Sequence, residues 1–323
     1  MDKRVYLGID TSNYTTSLAV IGDDGGLLAD QRMPLHVAKE QQGLRQSEAL
    51  FQHVKHLPQL MENLPWQSEA WRLAAIGVSG APRPMAQSYM PVFLAGLGMA
   101  RSLASLQGVP LVTTTHQENH LWAALHSAGG PSASGFAALH ISGGTSDILK
   151  VERQQQCVLL QTVGTSDDLH AGQMIDRVGV ALGLEFPAGP ALERVAADSV
   201  GDLRLPSAVQ NGAMSFSGPC TQALRLVGQE SAADIARAVL LCVARTLEKA
   251  LRWYFEKFGI HPVLASGGVM SNQLIRQELR RRLPHATLWY AEPKFSVDNG
   301  LGAAVTAWNS NTNRPWEDLL FRT

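Results

Sequence analysis

Apolar residues recur along this chain of 323 residues in two rhythms, short runs bounded by small polar turns and longer stretches with helical spacing. Residues 5–9 are a run of the first kind and predict a buried strand. Residues 16–21 predict its partner across the turn Asp10-Thr-Ser-Asn-Tyr-Thr15, and Asp23-Asp-Gly-Gly26 marks a hairpin. The same grammar returns at 137–141, where an apolar run enters Ser142-Gly-Gly-Thr-Ser-Asp147 and leaves along 148–151. Strand, small polar hairpin, strand, twice in one chain, predicts an internal duplication of two α/β halves. Between the copies, 47–60 and 91–106 carry helical spacing around a strand at 73–78. Beyond the second copy, helices are expected at 173–182, 190–197, 232–257 and 272–282, with a short strand at 262–265. The alternation predicts sheets covered by helices, and the length predicts two domains or two halves of a duplicated fold.

Composition bounds the function classes. The sequence is 45% apolar and 17% charged, with a formal net charge of −1, so bulk electrostatics does not recommend it as a nucleic-acid binder. Contact with RNA would need a local patch or a partner protein; the dense basic cluster Arg276, Arg280, Arg281 and Arg282 is the candidate, and a solvated helix face is its alternative. Three widely separated cysteines, Cys157, Cys220 and Cys242, lack CxxC spacing and indicate neither a disulfide framework nor a cysteine zinc site. No stretch approaches 18 apolar residues, which together with the cysteines predicts a soluble cytoplasmic protein with no membrane partner.

Two features carry chemistry. His116 and His120 stand four residues apart where an apolar run gives way to an amphipathic one, and four residues advance a helix by roughly 400°, so both rings share a face and can share a divalent cation. The HExxH pattern of zinc peptidases needs glutamate directly after the first histidine, where Gln117 stands, so peptidase chemistry is disfavoured. The second feature is a pair of glycine doublets, Gly143-Gly144 and Gly267-Gly268. Between a strand and a helix such doublets let backbone N–H groups approach a phosphate, and two of them in a duplicated α/β chain point to a nucleotide cleft between the halves.

Taken together, these residues resemble the tRNA threonylcarbamoyladenosine transferase family, also known as O-sialoglycoprotein endopeptidase or glycoprotease. The resemblance runs from about Leu7 to Ala307. It comprises Gly8-Ile-Asp-Thr-Ser12, the histidine pair, Ser142-Gly-Gly144, Gly172-Gln-Met-Ile-Asp-Arg177, Pro187-Ala-Gly-Pro190, Ser215-Phe-Ser-Gly218, Gly267 to Asn272 and Asp298-Asn-Gly300. It implies a duplicated actin-like ATPase, sugar-kinase-like fold of two α/β domains, 1–133 and 134–323, with a cleft between them and a last helix near 298–310 packing back on the first. It implies an iron or zinc ion held by His116, His120 and Asp298, with His140 as a candidate further ligand; a half-buried strand histidine is the alternative at that position. It also implies ATP, AMP or an acyl-adenylate, with Ser142, Gly143 and Gly144 around the phosphates, Asp176 and Glu193 toward the ribose, Gly189 beneath the sugar or base, Asn272 toward the adenine side, and Thr145 and Gly268 as further nucleotide-binding residues. No catalytic residue is assigned; Asp10 and Ser12 are the candidates. The implied reaction moves threonylcarbamate from its adenylate to the N6 amine of an anticodon-adjacent adenosine of tRNA, with tRNA reached through partner proteins, an actin-like protein among them.

The chain departs from the family pattern where substrate is expected. The acids that usually follow Thr-Ser are replaced by Asn13-Tyr-Thr-Thr16, whose hydroxyls stay protonated near neutral pH. The Ser-Gly-Gly loop continues as Thr145-Ser146, Ser-Gly-Leu-Lys has become Ser217-Gly-Pro-Cys220, an early glycine-rich segment is reduced to Gly43-Leu-Arg-Gln-Ser-Glu48, and a Gly-Pro-Gly turn reads Gly80-Ala-Pro-Arg83. The pattern is that of a divergent paralogue, and leaves open carbamoyl transfer to another acceptor and a non-catalytic nucleotide-binding scaffold.

Overall fold

A computed structural model describes residues 3–12, 14–37, 44–85, 87–154, 158–259 and 261–312. Asn13, Gly43 and Cys157 lie outside them. The chain divides into two compact units, one of Met1–Ser132 and Lys294–Thr323, the other of Ala133–Gln154 and Leu159–Pro293.

The first unit is built on a sheet of β1 (Lys3–Asp10), β2 (Thr15–Gly22), β3 (Leu27–Pro34), β4 (Trp71–Ala81) and β5 (Leu111–Thr115), with α1 (Gln46–Glu62), α2 (Phe93–Gln107) and α3 (His116–Ala128) between or after the strands. Strand order is β3-β2-β1-β4-β5. The β1–β2 and β2–β3 pairs are antiparallel, β1–β4 and β4–β5 parallel. β1 is buried on both faces, which is why it reads as a continuous apolar run. Val5, Leu7 and Ile9 join Leu18, Val20, Leu57, Leu60, Ile76 and Val78 in one core.

In the second unit β6 (Gly135–Ile141), β7 (Ser146–Arg153) and β8 (Val158–Gly164) precede α4 (Ala171–Ala181) and α5 (Gly189–Ala196). A two-stranded ribbon of β9 (Ala208–Gln210) and β10 (Ala213–Ser215) leads to α6 (Ser217–Leu226) and α7 (Ala232–Phe258). β11 (Val263–Ser266), α8 (Gln273–Arg282) and β12 (Leu288–Tyr290) complete it. Its large sheet runs β12-β11-β6-β7-β8, with β6–β7 antiparallel and β11–β6 and β11–β12 parallel. Reversed, this is the order of the first sheet, and β7–β6, β6–β11 and β11–β12 match β2–β1, β1–β4 and β4–β5 in sense, so the duplicated grammar of the sequence is a duplicated topology. α7 supplies the centre of this core with Ile235, Val239, Val243, Leu247 and Leu251, all buried.

α9 (Leu301–Thr312) follows the second unit in sequence but belongs to the first, where it packs on β1, β4 and α3. Glycines permit the approach: a Cβ on Gly8 would stand 2.3 Å from the Ala304 nitrogen, on Gly77 1.9 Å from the Ala303 oxygen, and on Gly302 1.9 Å from the Asn119 oxygen. Among the described residues no helix is long and apolar enough to cross a membrane.

One expectation needs correction. Gly143-Gly144 does not join a strand to a helix, as the phosphate-loop reading has it; it sits in the turn between the antiparallel strands β6 and β7, where the strand–hairpin–strand reading puts it, because the apolar Ile148, Leu149 and Val151 extend the chain as a strand. α4 still meets this turn end-on, with the Gly172 amide donating to the Ser142 carbonyl at 3.2 Å.

Candidate functional site

β5 passes directly into α3, and the junction is fixed by its own sequence. Thr115 is the N-cap: its Oγ1 accepts from the Glu118 amide at 3.2 Å, while the Glu118 carboxylate accepts from the Thr115 amide at 2.8 Å and from the Thr114 and Thr115 hydroxyls. Glu118 is thereby committed to starting the helix rather than to the face that carries the histidines. That cap places His116 and His120 at the first and fifth helical positions.

Their Nε2 atoms stand 3.1 Å apart. Asp298 Oδ1 lies 3.6 Å from the Nε2 of His116 and 3.4 Å from that of His120. Donors about 2.1 Å from one tetrahedral ion stand about 3.4 Å from one another, so the three spacings are those of ligands around a single divalent cation. Among the described residues no other group of three histidine, cysteine, aspartate or glutamate side chains converges in this way. Two imidazoles and a carboxylate suit zinc or iron and leave coordination positions open for a substrate oxygen. The site is reachable, the three side chains being 21%, 11% and 16% exposed.

Behind the trio lies Asp10, at the end of β1 and fully buried. Its Oδ1 stands 3.4 Å from His116 Nδ1, and its Oδ2 accepts from the Ser12 hydroxyl. Burial alone would raise the Asp10 carboxyl, but the neighbouring His116 and the hydrogen bond from Ser12 outweigh it and hold the group below the ordinary carboxylate range. Burial likewise works to lower His116, and Asp10, with Asp298, raises it. A carboxylate on Nδ1 fixes the ring so that Nε2 faces Asp298 and His120, the arrangement in which metal-ligating histidines are oriented by an outer carboxylate. Thr11 anchors the same strand end, accepting from the Gly96 amide at 3.1 Å and donating to the Val92 carbonyl at 2.9 Å.

Asn119, between the two histidines and fully buried, is the residue that sequence reasoning missed. Its Nδ2 donates to the Asn299 carbonyl at 2.6 Å and its Oδ1 accepts from the Ala303 amide at 2.7 Å. Asn299 in turn accepts from the Leu301 amide with its Oδ1 at 3.0 Å and donates to the Val297 carbonyl at 2.8 Å. Asp298 is thus carried on a turn clamped from both sides. No periodicity marks Asn119; only its place inside HxxxH hints at it.

The remaining candidates lie in the second unit. His140, on β6, has its Nδ1 3.2 Å from the Ser266 hydroxyl. Gly143 and Gly144 are exposed, with open space where side chains would stand, and Gly144 donates its amide to the Ser142 hydroxyl at 3.3 Å. Thr145 closes the turn by accepting from the Ser142 amide at 2.8 Å. Asp176, on α4, accepts from the Ala188 amide at 2.8 Å, next to Gly189 at the start of α5; burial raises its carboxyl against that amide. Glu193, on α5, accepts from the Gln273 amide at 2.6 Å, and Asn272 caps the same helix, α8, through the Ile275 amide at 2.9 Å. These residues form one connected strip over α4, α5 and α8, in which Asp176, Glu193 and Asn272 also hold backbone. Gly268, exposed, follows Gly267, whose φ of +96° and close approach to the Ile141 carbonyl admit only glycine. The Ser215-Phe-Ser-Gly218 motif starts α6, where Asp168 receives the Ser215 and Ser217 hydroxyls and the Phe216 amide.

The fold recurs in solved structures of low sequence identity. The (R)-2-hydroxyglutaryl-CoA dehydratase component A of Acidaminococcus fermentans is 13% identical, with a TM-score of 0.56 over 96% of this chain and 99% of that one. A ROK family glucokinase from Streptomyces griseus, in complex with glucose and AMPPNP, is 13% identical with a TM-score of 0.54 over 94% of this chain and 99% of that one. HypF of T. kodakarensis is 14% identical with a TM-score of 0.61 over 99% of this chain, which spans 49% of HypF. These likenesses show the actin-like ATPase, sugar-kinase-like fold. The family model TsaD, tRNA N6-adenosine threonylcarbamoyltransferase, matches residues 39–305, a span that takes in α3, both glycine doublets and Asp298, and the chain belongs to that family.

Proposed function

We propose that this protein transfers a threonylcarbamoyl group from threonylcarbamoyl-adenylate to the N6 amine of an anticodon-adjacent adenosine of tRNA, at a site built around one divalent ion, iron or zinc. The observation that carries the reading is the spacing of His116, His120 and Asp298 in a member of this family. In the reaction the N6 nitrogen bonds to the carbamoyl carbon, the bond from that carbon to the phosphate oxygen breaks, AMP leaves and N6 loses a proton. His116, His120 and Asp298 would hold the ion, which when bound would supply Lewis acidity to the departing adenylate. Asp10 keeps His116 in the orientation that presents Nε2. The open backbone of Gly143 and Gly144, with Ser142 and Thr145, offers donors to the phosphate. Asp176 and Glu193 each have an oxygen beyond the one that accepts backbone, which suits ribose hydroxyls, and Gly189, Gly268 and Asn272 border the strip for sugar and base. The glucokinase that shares the fold was solved with AMPPNP, which supports an adenine nucleotide here.

A second reading, carbamoyl transfer to another acceptor, is favoured by what replaces the missing acids. Tyr14 is exposed, and Thr16 is buried with its hydroxyl 2.8 Å from His53 Nδ1, so the described residues of this segment offer no carboxylate after Ser12.

The test is incubation of the purified protein, with bound metal quantified, with threonylcarbamoyl-adenylate and tRNA, followed by mass spectrometry of the nucleosides. The expected result is adenosine heavier by one threonylcarbamoyl group, lost with His116→Ala. A metal-loaded protein that binds adenylate and leaves tRNA unmodified would move the reading to another acceptor, and a metal-free protein would leave the scaffold.

A further inference from the structure

A local basic surface does exist, built by Arg237 and Arg245 of α7 together with Arg204 and with Arg281 and Arg282 of the sequence-adjacent cluster. Arg276 and Arg280 stack on the Tyr290 ring at 4.7 and 4.9 Å, and Arg276 also binds the Met270 and Ala291 carbonyls, so both are engaged in packing α8. Arg281 and Arg282 share Glu278, whose carboxyl their hydrogen bonds hold down at about 2. Beside them opens a cavity of about 400 Å³ lined by five arginines and two carboxylates, an excess of three positive charges. The carboxylates are already used: Asp202 is gripped by Arg204 at 2.9 Å, and Glu278 by the α8 pair. Arg245 reaches only the Leu205 carbonyl, at 3.0 Å, and Arg237 makes no hydrogen bond or ion pair among the described residues.

The surface continues along one helix. Arg237, Arg245, Lys249 and Arg252 fall within a sector of about 120° on α7, over a length of about 22 Å, the rise of roughly six phosphates of one strand, although Lys249 also reaches the Ser207 carbonyl at 2.6 Å and Arg252 is paired with Glu248. Arginine at the end of α8 is explained by the helix dipole, which favours cations there. That explanation does not reach Arg237 and Arg245, which stand in the body of a 27-residue helix, half-buried and without a carboxylate partner. The guanidinium groups of Arg237 and Arg245, with donors that no carboxylate takes, match phosphodiester oxygens.

We infer that the groove between α7, the end of α8 and the segment from Asp202 to Leu205 binds the phosphate backbone of RNA, and that it is where this near-neutral protein grips its tRNA. The inference rests on the transferase reading for the identity of the RNA, and on charge and geometry for the place. It reads no bases, so affinity through it is sequence-independent and falls with salt.

The experiment is fluorescence anisotropy of labelled tRNA with the full-length protein across a salt series, for wild type, Arg237→Ala/Arg245→Ala and Arg237→Glu. Arg237 has no partner to lose, so its charge reversal guards against a folding defect, and circular dichroism checks both variants. Expected are binding at least tenfold weaker for the double variant at low salt and a log–log salt slope shallower by about 1 to 2. Unchanged affinity and slope in both variants overturn the groove, as does wild-type protein that shows no salt-dependent tRNA binding, or a loss seen only with heparin and not with tRNA. Failure of the transferase reading would appear elsewhere, as unmodified tRNA in a protein that still binds it through these arginines.

Discussion

Asn119 donates to the backbone carbonyl of Asn299, 180 positions later, and so ties the helix that carries both histidines to the turn that carries Asp298. Replacing Asn119 with alanine strands two buried backbone groups, the Asn299 carbonyl and the Ala303 amide. The expected cost is about 2 to 4 kcal/mol in denaturant unfolding, with metal affinity down by roughly 10- to 100-fold in chelator competition. Asn119→Asp, which keeps the acceptor and loses the donor, should fall between.

Asp10 touches His116 on the side away from Asp298. Asp10→Asn preserves size but removes the charge that favours a proton on Nδ1. Chelator competition should show metal affinity about 10- to 100-fold weaker with unchanged circular dichroism. Equal affinity would reduce Asp10 to a buried packing residue.

Two glycine substitutions should act in opposite directions. In Gly302→Ala the new methyl would meet the Asn119 backbone, which has no room to yield, and thermal unfolding should reveal a loss of about 3 kcal/mol or more. Gly98, exposed within α2, has open space at the same atom. Gly98→Ala should stabilise the protein by about 0.5 to 1 kcal/mol.

His126 ends the buried face of α3 with its Nε2 3.1 Å from the Gly25 carbonyl, and burial lowers its pKa to about 4 although that hydrogen bond opposes the shift. The native ring therefore stays neutral while the unfolded chain takes up a proton below about pH 6.5. Stability should fall as pH drops from about 6.5 toward 4, by an amount on the order of 3 kcal/mol from this residue. His126→Gln should flatten the stability profile in that window.

The sequence made the strand-and-hairpin repeat, the long α7 and the shared face of His116 and His120 legible, since each depends on spacing within one segment. β3 escaped notice because its half-exposed residues, Leu27–Pro34, mix charge with apolar positions and set up no strict alternation. The link between Asp298 and the histidines came only through family resemblance, as nothing local reports a contact formed across 178 residues of chain. The basic groove was hidden for the same reason: Arg237 and Arg245 precede Arg281 by dozens of positions, and only packing of α7 beside α8 gathers them.

Because the carboxylate of the trio is encoded after the whole second unit, a ribosome releases both histidines long before their third companion. At about 5 to 20 residues per second, the 180 positions from Asn119 to Asn299 take about 9 to 36 s to translate. For that interval the nascent first unit lacks α9, the helix that packs on β1, β4 and α3, and the imidazole pair stands without its carboxylate. On the transferase reading, an ion shared by all three side chains would therefore wait for the turn that carries Asp298 to be made and clamped by Asn119.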